Sequence, residues 1–246
     1  MKTLHLCWLA LILASPLSAK SLQITIPTAS ITINYEKPVR LEQVFGDIIE
    51  NTEKHSPTTY PLSNQLFNLD REAEAQTLKH DVLERLRLLA QNDRTLVSSV
   101  GILVEQIKRW DIGYREPLVL DYDQIRIKKE YNPLIFGSYE LLIPGRDESL
   151  IFEGLLFSPQ KVPLLPELKL SDYLLQVNRL SSSHPSYVWV IYPDGEYTRV
   201  GYAYWNDEKT SLAPGTHVFL GLNSDNKEHL NLEEQIVRLI TMRKSL

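Results

Sequence analysis

Four charged residues, Arg115, Asp121, Asp123 and Arg126, lie within twelve positions of one another and are the first candidates for chemistry. Two carboxylates can cleave a glycosidic bond as acid and base when they stand roughly 5–9.5 Å apart. Asp121 and Asp123, two positions apart, share a face if their segment is a strand. Arg126 opposes that use. A nearby guanidinium favours the ionised carboxylate and lowers the pKa that a general acid must keep high. Asp-x-Asp before a turn also serves solvation and capping. The expectation is no catalytic residue, with glycan modification through Asp121 and Asp123 as the alternative. Arg115 sits between Gly113 and Pro117. Its guanidinium can fork to a carboxylate or to paired sugar hydroxyls. It can equally form a structural ion pair with Asp121 or Asp123. Trp110 can stack on a sugar beside it, or close the apolar stripe of its own helix.

Aromatic residues are dense from Tyr187 to Trp205. In a strand, alternate ones must face the core, which takes Trp189. Tyr202, Tyr204 and Trp205, near a hairpin end, are left as surface candidates for stacking on sugars. His55, His80, His184, His217 and His229 show no metal-ligand spacing, so no metal is expected. The run Ser181–Pro185 is a loop signature, not a nucleophile elbow. No phosphate loop or dinucleotide fingerprint is present, so no cofactor is expected.

Three textures must position these residues. Leu22–Pro27 and Ser30–Tyr35 alternate as half-buried strands do. Leu41, Val44, Phe45, Ile48 and Ile49 mark one face of a short helix. Next come two apolar stripes at helical spacing, Ala75–Leu78–Val82–Leu86–Leu89 and Leu96–Val100–Leu103–Ile107–Trp110. The short link Gln91–Asp93 makes those helices antiparallel neighbours. Asp70 is placed to cap the first, and Gly113 to stop the second. The remainder is rich in strands: Leu118–Leu120, Tyr139–Ile143, Leu150–Phe157, Tyr187–Tyr192, Tyr197–Trp205 and His217–Leu220. A short helix is expected over Leu168–Val177. Pro193-Asp194-Gly195 reads as a hairpin turn. Leu232, Ile236, Leu239 and Ile240 form the apolar face of a tail helix, which either packs on the fold or docks to an envelope partner.

The chain has 246 residues, 26 basic and 31 acidic, for a net charge of −5. That balance argues against nucleic acid as a partner. Lys2, an apolar run from Leu4 to Leu13 and the small residues before Ala19 read as an export signal cleaved between Ala19 and Lys20. The one cysteine, Cys7, falls inside that run, so no disulfide is expected afterwards. No later stretch approaches the ~18 apolar residues of a membrane span. A periplasmic, monomeric protein is the expectation.

Strand, strand, short helix and further strands occur twice in this order. That suggests an α+β protein of two β-grasp domains. The first covers residues 20–147 with a helical hairpin inserted at about 68–111. The second covers 148–222, and a linker with an amphipathic helix covers 223–246. The block from Gly113 to Pro144 carries Gly113-Tyr114-Arg115, the Asp-x-Asp-x-x-Arg run Asp121–Arg126, Asn132-Pro133 and Gly137. Gly154 and Pro214-Gly215 follow. In order and content these residues resemble the GfcC-like capsule biosynthesis family. That family is related to the soluble-ligand-binding β-grasp (SLBB) domains of outer-membrane polysaccharide exporters such as Wza. Gly145, Arg146 and Asp147 after Pro144 depart from its usual basic residue and proline. The resemblance implies a periplasmic, non-enzymatic role in making or exporting surface polysaccharide. The partner it implies is the polysaccharide or an envelope export protein.

Overall fold

The computed structural model describes residues 21–51 and 56–244, so the expected cleavage between Ala19 and Lys20 lies outside the described residues. The chain is mixed α+β. Its strands are β1 (Leu22–Ile26), β2 (Ile31–Tyr35), β3 (Val39–Arg40), β4 (Gln65–Asn68), β5 (Leu134–Ile135), β6 (Gly137–Leu142), β7 (Ser149–Gly154), β8 (Gln160–Pro163), β9 (Tyr187–Ile191), β10 (Tyr197–Gly201) and β11 (His217–Leu220). Its helices are α1 (Leu41–Asn51), α2 (Glu72–Asn92), α3 (Val97–Lys108), α4 (Tyr122–Ile127), α5 (Leu170–Gln176) and α6 (Lys227–Thr241).

The first sheet has the order β2-β1-β6-β4. β1 pairs antiparallel with β2 and parallel with β6, and β4 pairs antiparallel with β6. The second sheet runs β10-β9-β11-β7-β8. Here β7 pairs antiparallel with β8 and parallel with β11, and β9 pairs antiparallel with β11. Both sheets therefore share one topology: an opening hairpin, a helix, and a last strand parallel to the first. The second adds β10 at its edge. Alternation along β1 turns Leu22, Ile24 and Ile26 onto Val44, Phe45 and Ile48 of α1, one contiguous core. The inward set of the second sheet, including Leu150, Phe152, Val188, Val190 and Val218, packs on Leu170, Tyr173 and Leu174 of α5.

The opposite face of the second sheet is also covered. Phe219, Ile191 and Trp189 meet a helical layer built from α2, α3 and α6. The apolar stripes supply its core: Val82 and Leu86 from α2, Val100, Leu103 and Ile107 from α3, and Leu232, Ile236, Leu239 and Ile240 from α6. All four α6 residues are at most 4% exposed. The tail helix thus shares a core with the inserted hairpin as well as with the second sheet. Its apolar face is spent on that core and offers no docking surface. Ile236→Ala is expected to cost about 3 kcal/mol, because a fully packed site cannot collapse around the lost volume. Urea unfolding checks this, and a loss below ~1 kcal/mol would return the tail to the docking reading.

Several local expectations are corrected. Leu118–Leu120 is irregular; short apolar runs do not separate strand from other buried segments. Asp70 does not cap α2. Asn68 accepts from the Asp70 N–H, while Asp70 Oδ2 accepts from Ser138 N at 3.0 Å. α3 ends at Lys108 rather than at Gly113. Gly113 instead lets its backbone lie against Phe67 and Lys244, where a Cβ would stand 3.0 Å from both side chains. β10 stops at Gly201 because the chain turns back on itself there. Asn206 O would lie 2.2 Å from any Cβ at that position, and Glu208 N donates to Gly201 O.

Candidate functional site around Arg115

Arg115 lies where the two sheets and the tail meet. It forms an isolated antiparallel bridge with Phe67 of β4. Its guanidinium donates to three backbone carbonyls from three different segments: Pro193 O in the β9–β10 turn at 2.6 Å, Asn64 O before β4 at 3.3 Å, and Thr241 O at the end of α6 at 3.3 Å. The turn is formed as its sequence predicts, with Gly195 at φ +94°. Burial pulls the Arg115 pKa down to about 10, partly opposed by the charge of Asp194. The expected ion pair with Asp121 or Asp123 does not form. Backbone dipoles hold the cation instead.

Two cavities adjoin this guanidinium. The larger, about 500 Å³, runs between the segment Arg115–Asp121 and the β9–β10 turn. Tyr60, Glu116, Gln124, Asp194 and Glu196 line it beside Pro61, Pro117 and Leu118. This mix of planar polar groups, carboxylates and flat apolar surface is one that can hydrogen-bond and stack on a polyhydroxylated ring. Asn64, also in the wall, donates its amide to Pro57 O and Leu120 O, while its Oδ1 is buried with no hydrogen-bond partner.

The smaller cavity, about 210 Å³, lies between the Tyr60–Gln65 segment and the second sheet, with Arg115 and Thr241 shared. His217 of β11 stands in its wall near Asp147 and Tyr192. Behind the imidazole, Glu153 of β7 is 3% exposed. Glu153 Oε1 lies 2.7 Å from His217 Nδ1, and Oε2 accepts from Arg243 Nη1 at 2.7 Å. Burial works against the Glu153 charge, but His217 and Arg243 outweigh it and hold the carboxyl below its usual range.

The remaining candidates separate. Asp121 caps α4: its Oδ1 accepts from Asp123 N and Gln124 N, and its Oδ2 accepts from Gln124 Nε2. It lines the larger cavity, yet it and Asp123 lie at a helix start, not on one strand face. Asp123 is exposed. Arg126 does not neutralise either carboxylate; it lies 5.5 Å over the ring of Tyr122. Trp110 is buried in the helical core under Arg243, so it closes its stripe and is withdrawn from sugar stacking. Tyr202 is buried too, donating to His184 O at 2.7 Å and accepting from Arg179 Nη1. Of the three aromatic surface candidates, Tyr204 and Trp205 are exposed. They stand in the loop after β10.

The spacing of Tyr60, Asn64, Glu116, Glu153 and His217 carries no mark of a site. One signal is present: Glu153 is the only charged residue of the strand SLIFEG, after the apolar run Leu150–Phe152. Among the described residues no group of three His, Cys, Asp or Glu is placed to hold a metal ion, and no helix is long and apolar enough to cross a membrane.

Comparison with known proteins matches the two halves separately. Residues 18–146 match the family model described as capsule biosynthesis GfcC, N-terminal. Residues 158–245 match capsule biosynthesis GfcC C-terminal. The chain is also 30% identical over 150 residues to the uncharacterized protein YjbG of Escherichia coli (strain K12). That alignment spans 59% of this chain and 60% of YjbG. With the first match spanning the first sheet and the inserted hairpin, and the second spanning the tail and the second sheet apart from β7, the chain belongs to the capsule biosynthesis GfcC family.

Proposed function

We propose that the protein is a non-enzymatic periplasmic accessory factor of capsule or exopolysaccharide assembly and export, which binds glycan in the larger cavity beside Arg115 and works with an envelope export component. The observation that carries this reading is the cavity itself. Its volume of about 500 Å³ falls within the ~300–1,000 Å³ of small-molecule sites, and its walls come from both halves of the chain. The repeated sheet topology supports reading each half as a β-grasp unit of the SLBB kind. A binding rather than a hydrolytic role is supported by Asp121, whose two oxygens are engaged in capping α4. A general acid needs a protonated, unengaged carboxyl aimed at the leaving group.

Gln124→Trp fills this cavity from α4 without touching the buried core. A strain carrying the exported, folded variant is expected to lose surface polysaccharide as a deletion strain does, with intracellular precursors unchanged. Wild-type surface polysaccharide in both strains would refute the proposal.

A further inference from the structure

The smaller cavity contains a histidine whose chemistry is set by its neighbours. An ionised carboxylate only accepts hydrogen bonds. Glu153 accepts from Arg243 Nη1 with one oxygen and faces His217 Nδ1 at 2.7 Å with the other, so that nitrogen carries a proton. In a neutral imidazole the other nitrogen, Nε2, is then left with a lone pair. This is the nitrogen that His217 can offer to the cavity it lines. Glu153 cannot turn away, since Arg243 fixes its second oxygen and β7 is buried around it. Arg243 is itself fixed by the bridge between residues 112 and 243. The arrangement is the carboxylate–histidine pair that orients imidazoles elsewhere in protein chemistry. It lacks a nucleophile: among the described residues, no hydroxyl is hydrogen-bonded to His217.

We propose that the smaller cavity is a second sugar subsite, in which His217 Nε2 accepts a hydrogen bond from a hydroxyl of a neutral sugar ring. This rests on the glycan-binding reading above and adds the class of sugar. Three features support it. Asp147 is a second acceptor in the wall, held by Lys161 and by Ser149 Oγ. A ligand carboxylate here would meet a lone pair and a negative charge, the kind of mismatch that discriminates between ligands. Arg115 has three of its donor directions already committed to carbonyls, so it is poorly placed to compensate an acid. Finally, about 210 Å³ lies below the ~300 Å³ at which drug-sized pockets begin, a size for one ring rather than a chain.

The test uses 15N-labelled protein, with the pH raised until His217 carries a single ring proton. Long-range proton–nitrogen correlation reads the state of each histidine nitrogen. His217→Phe assigns the signal, and its thermal unfolding reports whether the variant is folded. Wild-type His217 is expected to show a protonated Nδ1 and a bare Nε2. Glucose, galactose and mannose are then compared with glucuronate and galacturonate. At least one neutral sugar should move the Nε2 resonance, with apparent affinity about tenfold above that of its uronate, as expected of a site built to bond a hydroxyl. A protonated Nε2, or uronates binding as well as the neutral sugars, overturns the proposal from wild-type protein alone. Sugars that move Gln124 in the larger cavity but leave His217 unchanged overturn this subsite and leave the glycan-binding reading standing. Sugars that move neither cavity overturn both.

Discussion

Arg115→Met is expected to lower the stability of the whole protein by about 3 kcal/mol, although the side chain lies beside two cavities. The reason is what its guanidinium holds. Pro193 O, Asn64 O and Thr241 O belong to the β9–β10 turn, the segment before β4 and the end of α6, and one fork gathers all three. A carbonyl left unpaired in a buried setting costs ~1–3 kcal/mol. Water entering from the cavities recovers part of that for the outermost groups. Methionine keeps the volume of the stem and removes every donor. For a chain of this size ~1 kcal/mol shifts Tm by about 2–4 °C, so a fall of roughly 6–12 °C is expected. Arg115→Lys should recover less than half of it, because an ammonium cannot span three acceptors in a plane. Circular dichroism melts decide the matter. An unchanged Tm for Arg115→Met would mean that the three segments are held together without it.

A comparable loss is predicted for Glu233→Ala, deep in the helical layer. Glu233 Oε1 accepts from Leu222 N at 2.6 Å and Oε2 accepts from Trp189 Nε1 at 2.9 Å. This ties α6 to the end of β11 and to β9. Gly221 makes room, since a Cβ there would stand 2.3 Å from the Glu233 carboxyl carbon. Alanine at 233 strands the buried Leu222 N–H and the half-buried Trp189 Nε1–H, at a cost of about 3 kcal/mol. The pH dependence carries a second signature. Burial raises the Glu233 pKa, outweighing the opposing hydrogen bonds from Trp189 and Leu222. A carboxyl whose folded pKa lies above its unfolded value stabilises most when protonated. That contribution is fully present below the unfolded value of 4.5 and fades as pH rises through the folded pKa. The wild type should therefore exceed Glu233→Ala by more in mild acid than at neutral pH. Urea midpoints for both proteins across this range test it, and an advantage that grows with pH would contradict the assignment.

Periodicity made much of the fold legible. The strand His217–Leu220, the turn Pro193-Asp194-Gly195 and the stripes of α2, α3 and α6 are where spacing puts them. These features are local, and each is written in neighbouring residues. What spacing does not contain is which apolar faces meet. The stripe of α6 could cover a sheet, a partner or the inserted hairpin, and only three-dimensional packing decides that it covers the sheet and the hairpin together. The site divides in the same way. Arg115 is recognisable as an unusual residue in a turn. Its partners are main-chain oxygens, and a carbonyl has no side chain to mark it. Nearness to a hairpin end marks Tyr202 as a surface residue, yet the chain folds back after Gly201 and Tyr202 is buried. Asp121 and Asp123 read as a carboxylate pair while their segment is taken as a strand. Once α4 begins at Tyr122, the first becomes its cap.

The last described residues return to the middle of the chain. Gly113 N donates to Met242 O, Lys244 N donates to Asp111 O, and Lys244 Nζ pairs with Glu140 at 2.9 Å. Synthesis delivers a chain from its first residue to its last. The hairpin of α2 and α3 emerges early, with an apolar stripe whose cover, α6, is made more than a hundred positions later. The protein must therefore wait for α6 before that surface closes. A chain interrupted anywhere before α6 leaves the stripe open, the exposed state that chaperones and proteases recognise. Arrival of α6 is thus read directly as burial of the chain's own middle.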